Sequence, residues 1–173
     1  RLEAHFVHFT TVVEGAEIVR EVRFAWGEGL PEGAFITVYV WSDPNQDGNP
    51  SDARVERSEL VKIVSPGTDA FQAIDIADTY VGAAGTTYFV GALINAGIAI
   101  APLDQSGSSA QRSWIAVADI DGSVDPNALG ESGLFGLVDS FNFPGNWLVR
   151  AIGWRELDCN GNGVPDDCDI AGG

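Results

Sequence analysis

Hydrophobic and polar residues alternate with a period of two along most of this chain, which is the pattern of β-strands. In residues 17–26 the charged residues share one face and most apolar residues share the other, as is typical of an antiparallel strand with one face in water. The charged set is Glu17, Glu21 and Arg23, and the apolar set is Ile18, Val22, Phe24 and Trp26.

Residues 35–42 differ, because both faces of this segment are apolar. One face carries Ile36, Val38 and Val40, and the other carries Phe35, Tyr39 and Trp41. The pattern predicts a strand that is central in its sheet or half-covered by a partner on its second face.

Further segments have strand character, and glycine- and proline-rich turns separate them, whereas no window of about 12 residues has a helical period. They are 4–13, 59–65, 70–77, 86–95, 112–119, 134–139 and 146–154. This spacing predicts an all-β fold, an antiparallel β-sandwich of jelly-roll or Greek-key type, with a closed barrel as the alternative. Residues 92–103 are apolar without clean alternation and fit either a buried strand pair or a wide loop.

The chain has 173 residues, of which 45% are hydrophobic and 20% charged, so it can form one core. The composition changes near residue 157, and the segment from Leu157 onward contains no aromatic residue. We therefore expect a sandwich domain over 1–157 and a separate short tail over 158–173.

Charge excludes several partners. Acidic residues outnumber basic residues 25 to 9, which gives a net charge of −16 and argues against nucleic acid or an anionic membrane surface as partner. No apolar run approaches the length of about 18 residues that a membrane-spanning helix needs. The chain has no methionine and begins with Arg1, so we expect a processed, secreted protein that has lost a signal peptide.

The tail carries the most specific motif, an EF-hand-like loop with oxygen-bearing side chains at alternate positions and Gly163 at the sharp turn. The expected calcium ligands are Asp158, Asn160, Asn162, the Val164 carbonyl, Asp166 and Asp169. Asp169 stands where the EF-hand pattern has glutamate. The alternative is a solvated polar linker.

Cys159 and Cys168 are the only cysteines, and they flank the tail loop. In a secreted protein we expect them to form a disulfide with each other. Zinc is the less favoured alternative, because two thiolates without nearby histidines leave a tetrahedral site unfilled.

A second acidic loop follows the strand at 35–42. Asp43, Asn45 and Asp47 are spaced as in a calcium loop and precede Gly48, and Asp52 can close the site. The position that ends an EF-hand is arginine here, so the site would not be an EF-hand. The alternative is a polar turn held by Asx hydrogen bonds. A weaker cluster of the same kind consists of Asp119, Asp121 and Asp125.

Several stretches together resemble a family of secreted bacterial β-sandwich domains followed by a calcium-binding repeat similar to dockerin and thrombospondin type 3 repeats. They are FAWG at 24–27, VYVWSDPNQDGNPSDA at 38–53, TTYFVGAL at 86–93, SWIA at 113–116, GNWLVRA at 145–151 and LDCNGNGVPDDCDIA at 157–171. The resemblance implies an extracellular, non-catalytic module and implies no particular ligand.

The residues themselves offer little for an enzyme. His5 and His8 lie three apart in a strand and face opposite sides, and no nucleophile or phosphate-binding motif is present. A carbohydrate-binding or adhesion module remains the alternative, because exposed aromatic side chains can stack on sugars. Trp154 is the best candidate for exposure, whereas Trp114 and Trp147 are expected in the core.

We favour a self-assembling structural protein whose partners are copies of itself. The segment 2–13 is a strand at the chain end with much apolar surface, so it can complete its own sheet or a neighbour's by strand addition. The tail is a second candidate for the contact, and calcium is the expected cofactor.

Arg150 is expected to be structural. It shares a strand face with Leu148 and Ile152, which predicts a partly buried guanidinium paired with a carboxylate.

Overall fold

A computed structural model describes residues 6–12, 17–94, 102–118 and 122–154. Within these ranges the chain forms eleven strands and three short 3-10 turns. The strands are β1 Phe6–Val12, β2 Ile18–Ala25, β3 Phe35–Ser42, β4 Arg54–Lys62, β5 Phe71–Tyr80, β6 Tyr88–Ile94, β7 Leu103–Asp104, β8 Ser113–Val117, β9 Leu134–Leu137, β10 Asn146–Trp147 and β11 Val149–Trp154. The 3-10 turns are Pro50–Asp52, Leu129–Glu131 and Val138–Phe141.

The strands form an antiparallel β-sandwich, as the sequence predicts. One sheet has the order β4-β3-β6-β1-β8-β9, a second has the order β11-β2-β5, and β10 and β7 form a small third sheet. All pairings are antiparallel. Among the described strands, β4 and β9 end the larger sheet without a further neighbour, so the sheet does not close into a barrel.

The main core lies between the six-stranded and three-stranded sheets. Apolar side chains of β2, β5 and β11 meet those of β3, β4 and β6 there. Phe24 and Trp26 stack with ring centroids 4.8 Å apart. The buried Trp26 indole N–H donates to the Gln72 side-chain oxygen at 2.6 Å, so its one polar group is satisfied.

The strand β3 lies inside its sheet, between β4 and β6, as its two apolar faces predict. Its outer face is covered at the Trp41 end, whereas Phe35 at the other end is 62% exposed. Trp41 is fully buried with Phe89 and Leu129 in a second cluster outside the larger sheet. Its indole N–H donates to the Pro126 carbonyl at 2.7 Å. The segment that follows residue 122 therefore covers this part of the sheet.

One face assignment in β2 is wrong. Relative to β11, Arg20 is an extra residue, because Ile152 pairs with Glu21 and Gly153 pairs with Val19. Such a bulge reverses the alternation on its far side. Val19 is therefore buried in the main core, and Ile18 is only partly buried.

The strand β1 lies in the middle of the larger sheet, between β6 and β8. Phe6–Val12 pairs along its whole length with β6, and Phe6–Thr10 also pairs with β8. Within the single chain, the N-terminal segment therefore completes its own sheet, the first of the two possibilities that the sequence left open.

The interpretation of Arg150 is corrected. Its side chain is exposed, and its guanidinium lies 4.3 Å from the centre of the Phe71 ring. No carboxylate of the described residues forms an ion pair with it. The residue lies on the open face of the three-stranded sheet, where water solvates the charge.

Candidate functional site

The acidic loop 43–52 joins β3 to β4 and is fastened to the sandwich at two points. Gln46 joins it to the segment before β6, because Thr87 N–H donates to the Gln46 side-chain oxygen at 2.7 Å. At the other end, Gly130 packs against Ser51 so closely that a Cβ at position 130 would lie 2.8 Å from the Ser51 Cβ. The loop is thus held by the body of the domain.

Asp43 organises the first half of this loop from a buried position. Its side chain is 2% exposed, and its carboxylate accepts from the Gln46 N–H at 3.0 Å and from the Gly48 N–H at 2.9 Å. Both donors have a left-handed backbone, with φ of 59° at Gln46 and 75° at Gly48. Glycine adopts that conformation without strain, which explains its place in the motif.

Consecutive side-chain-to-backbone hydrogen bonds continue the loop. Asn45 Oδ1 accepts from the Asp47 N–H at 2.9 Å, Asp47 Oδ1 accepts from the Asn49 N–H at 2.7 Å, and Asn49 Oδ1 accepts from the Ser51 N–H at 3.1 Å. These are Asx turns, which the sequence offered as the alternative to a metal site. They fix the backbone, and a carboxylate oxygen that accepts one such hydrogen bond keeps a second lone pair.

Three carboxylates converge in the loop. One oxygen each from Asp43, Asp47 and Asp52 lies within 4.8 Å of the others, so the spacing read from the sequence brings these three side chains together. Asn45 takes part through the turn, and its amide N–H donates to Asp47 Oδ2 at 3.1 Å. A set of hard oxygen donors at this separation fits a calcium ion better than a softer metal.

The electrostatics of Asp43 agree with that fit. Burial raises the pKa of its carboxyl, the hydrogen bonds from Gly48 and Gln46 oppose this, and the charges of Asp47 and Asp52 raise it further. A cation among the three carboxylates would remove that mutual repulsion.

Other candidate ligands lie wholly or partly outside the described residues. The tail lies outside the described residues, with both cysteines and all the expected ligands of the tail loop: Asp158, Asn160, Asn162, Val164, Asp166 and Asp169. Asp119 and Asp121 of the weaker cluster also lie outside them. Asp125 is described, and its Oδ1 accepts from the Asn127 N–H at 2.8 Å in an Asx turn.

The aromatic candidates divide as follows. Trp114 and Trp147 are half-buried, and the Trp147 indole N–H donates to the Trp114 carbonyl at 2.9 Å. Trp154 is 38% exposed, as expected, although the Arg20 guanidinium lies 3.9 Å from the centre of its ring.

A cleft next to the acidic loop was not predicted. It has a volume of about 290 Å³, and Tyr80, Ser42 and Glu56 line it together with Asp43. Tyr80 is 63% exposed at the end of β5. These residues come from three strands of two sheets, so no local sequence pattern indicates that they meet.

A larger apolar groove of about 700 Å³ lies against β8 and β9. Ile115, Val117, Leu134 and Trp147 are among its lining residues. The smaller sheets cover less of this end of the six-stranded sheet, which leaves these side chains partly accessible.

The fold and the acidic loop define an all-β sandwich domain with a candidate cation site. No family model matches the chain, and comparisons with curated proteins and with solved structures gave no match. Among the described residues, no helix is long and apolar enough to cross a membrane.

Proposed function

We propose that this protein is a non-catalytic, extracellular structural module that calcium stabilises and that assembles with copies of itself. The observation that carries the proposal is the convergence of Asp43, Asp47 and Asp52 within 4.8 Å in a loop fastened to the sandwich. Three negative charges at that separation repel one another, and a divalent cation converts the repulsion into attraction.

Secretion fits this chemistry. Calcium sites of extracellular modules function with dissociation constants of about 10⁻⁴–10⁻³ M, so a loop with few protein ligands and several waters suffices outside the cell. The resemblance to secreted bacterial sandwich domains, and the calcium motif of the tail, point in the same direction.

Strand exchange is the route to self-association that the sheet favours. The exposed edge strand β4 carries charges at alternate and adjacent positions, a common protection against edge-to-edge pairing, and the other edge strand, β9, has only four residues. A copy of β1 from another chain would find the same two partners, β6 and β8, with every backbone hydrogen bond retained.

Calorimetric calcium titration tests the cation site. The parent is expected to bind calcium at the 43–52 loop and at the tail, so Asp47→Asn should remove one binding event and the double variant Asp158→Ala/Asp169→Ala the other. Asp75→Asn is the matched control, because Asp75 is an exposed acid on β5 and belongs to neither loop.

Unchanged uptake in Asp47→Asn would contradict a site at the 43–52 loop. Unchanged uptake in the tail double variant would contradict the tail site alone. The two loops are therefore tested separately.

A further inference from the structure

The cleft beside the acidic loop combines an accessible aromatic ring with polar groups. Tyr80 forms one wall, and Ser42 and Glu56 approach from β3 and β4. At about 290 Å³ the cleft is near the lower limit of pockets that bind small molecules. It lies at the end of the sandwich where β3 and β5 finish and the chain turns.

The polar side of the cleft has hydrogen-bonding capacity to spare. The Ser42 hydroxyl donates to Glu56 Oε1 at 2.6 Å, and Arg54 reaches the same oxygen only at 3.9 Å. Glu56 Oε2 has no hydrogen bond with the described residues. A carboxylate oxygen in this position accepts readily from ligand hydroxyl groups.

We propose that this cleft binds one ring of a neutral saccharide. The apolar face of a sugar ring packs on an aromatic side chain such as Tyr80, while its hydroxyl groups donate to a carboxylate such as Glu56. The cleft holds both kinds of group, and its volume of about 290 Å³ suits a single ring better than a long segment of a saccharide chain.

Charge selects among saccharides. Asp43 and Glu56 both line the cleft, Asp47 is in the adjoining loop, and the whole chain carries a net charge of −16. Uronic acids and sulfated sugars are repelled by such a surface, whereas neutral hexoses and N-acetylhexosamines are not. The recognition is therefore for uncharged glycans.

The inference goes beyond the proposed structural role. The cleft and the candidate cation site share Asp43 alone among the three converging carboxylates. The experiment is calorimetric titration of the full chain with soluble hexasaccharides of β-1,4-glucose, β-1,4-N-acetylglucosamine and β-1,4-mannose. Chelator is present throughout, so that Asp43 and Asp47 keep their charges and calcium cannot bridge an acidic sugar to the protein. Hexagalacturonate is the acidic comparison. Binding of at least one neutral hexasaccharide, and none of hexagalacturonate, is the expected result.

Substitutions in the cleft test whether the saccharide binds there. Tyr80→Ala is expected to weaken it about tenfold, the change that corresponds to losing roughly 1.4 kcal/mol of aromatic contact, while Tyr80→Phe keeps the ring and stays near the parent. Phe143→Ala is the matched control, because Phe143 is 62% exposed and does not line the cleft. Glu56→Gln should also weaken binding, since it replaces the accepting carboxylate.

Failure of saccharide binding can be distinguished from failure of the calcium site. Tyr80→Ala should leave calcium uptake unchanged, so the two losses are read from separate titrations. The inference is overturned by absence of neutral saccharide binding at millimolar concentration, by equal binding of hexagalacturonate, or by unchanged binding in Tyr80→Ala.

Discussion

Asp43 illustrates how one residue serves both structure and chemistry. Its buried carboxylate accepts two backbone N–H groups and so shapes the loop, and the same burial makes its charge costly. The alternate spacing of Asp43, Asn45 and Asp47 predicts both roles. The structure shows that the loop hydrogen bonds and the convergence of carboxylates coexist, because each oxygen of Asp43 and Asp47 accepts one hydrogen bond and keeps a second lone pair.

The titration of Asp43 should be measurable in calcium-free protein. Burial, and then the charges of Asp47 and Asp52, raise its pKa above the ordinary value of 3.8, so the folded state retains a proton that the unfolded state has released. The free energy of unfolding therefore falls as the pH rises through this range. We expect the parent to lose stability relative to Asp43→Asn in urea unfolding with chelator as the pH rises from below to above the ordinary pKa of 3.8.

The control for this experiment is Asp75→Asn, which removes an exposed charge elsewhere. Parallel pH dependence in the parent and in Asp43→Asn would contradict a raised pKa at Asp43. Calcium should reduce the difference between the two proteins at neutral pH, because it stabilises the charged carboxylate.

Arg150 should contribute little to stability. An exposed guanidinium over a phenyl ring contributes about 0.5–1 kcal/mol, so Arg150→Ala should lower the free energy of unfolding by that amount. The same substitution in a Phe71→Leu background should have a smaller effect. A loss of about 3 kcal/mol or more would instead indicate the buried ion pair that the strand pattern suggested.

At the level of elements, period-two alternation located most strands, since each packs one face on a core. The early start of β4 at Arg54 was missed because its charges alternate with only a few apolar residues. The two-residue strands β7 and β10 are too short for any period to be seen. The pairing of β1 with β6 and β8 joins distant segments and leaves no local signal.

The bulge in β2 gives a direct test with adjacent residues. Val19 is fully buried in the main core, so Val19→Ala should lower the free energy of unfolding by about 2 kcal/mol. Ile18→Ala, on the other side of the strand, should cost less than about 1 kcal/mol. Urea unfolding of the two variants measures both losses of stability. A larger loss in Ile18→Ala than in Val19→Ala would contradict the bulge and support an uninterrupted alternation along β2.

For the candidate site, sequence spacing predicts which residues come together when they belong to one loop. It does not predict the meeting of residues from different strands. Asp47 and Asp52 were predicted because they lie within a short turn. The cleft of Tyr80 and Glu56 arises where two sheets end side by side, which depends on the order of strands and not on local pattern.

On the scale of the whole molecule, charge and sheet order together restrict association. A chain with net charge −16 resists unspecific aggregation, and the charged edge β4 and the short edge β9 of its six-stranded sheet resist unspecific strand pairing. Exchange of β1 avoids both obstacles, because it recreates pairs that already exist in the single chain. Calcium would reduce repulsion between the copies.

Sedimentation velocity of the protein with calcium, with and without a disulfide that holds β1 in its own sheet, tests the central claim most directly. Thr10 and Val90 are paired residues of β1 and β6, so Thr10→Cys/Val90→Cys can form this disulfide, and Thr37→Cys/Leu60→Cys across β3 and β4 is the matched control. The parent and the control are expected to form large assemblies, and the oxidised Thr10→Cys/Val90→Cys variant should sediment as an 18.3 kDa monomer that assembles again on reduction. A parent that stays monomeric at high concentration, or a locked variant that assembles as the parent does, would contradict the account.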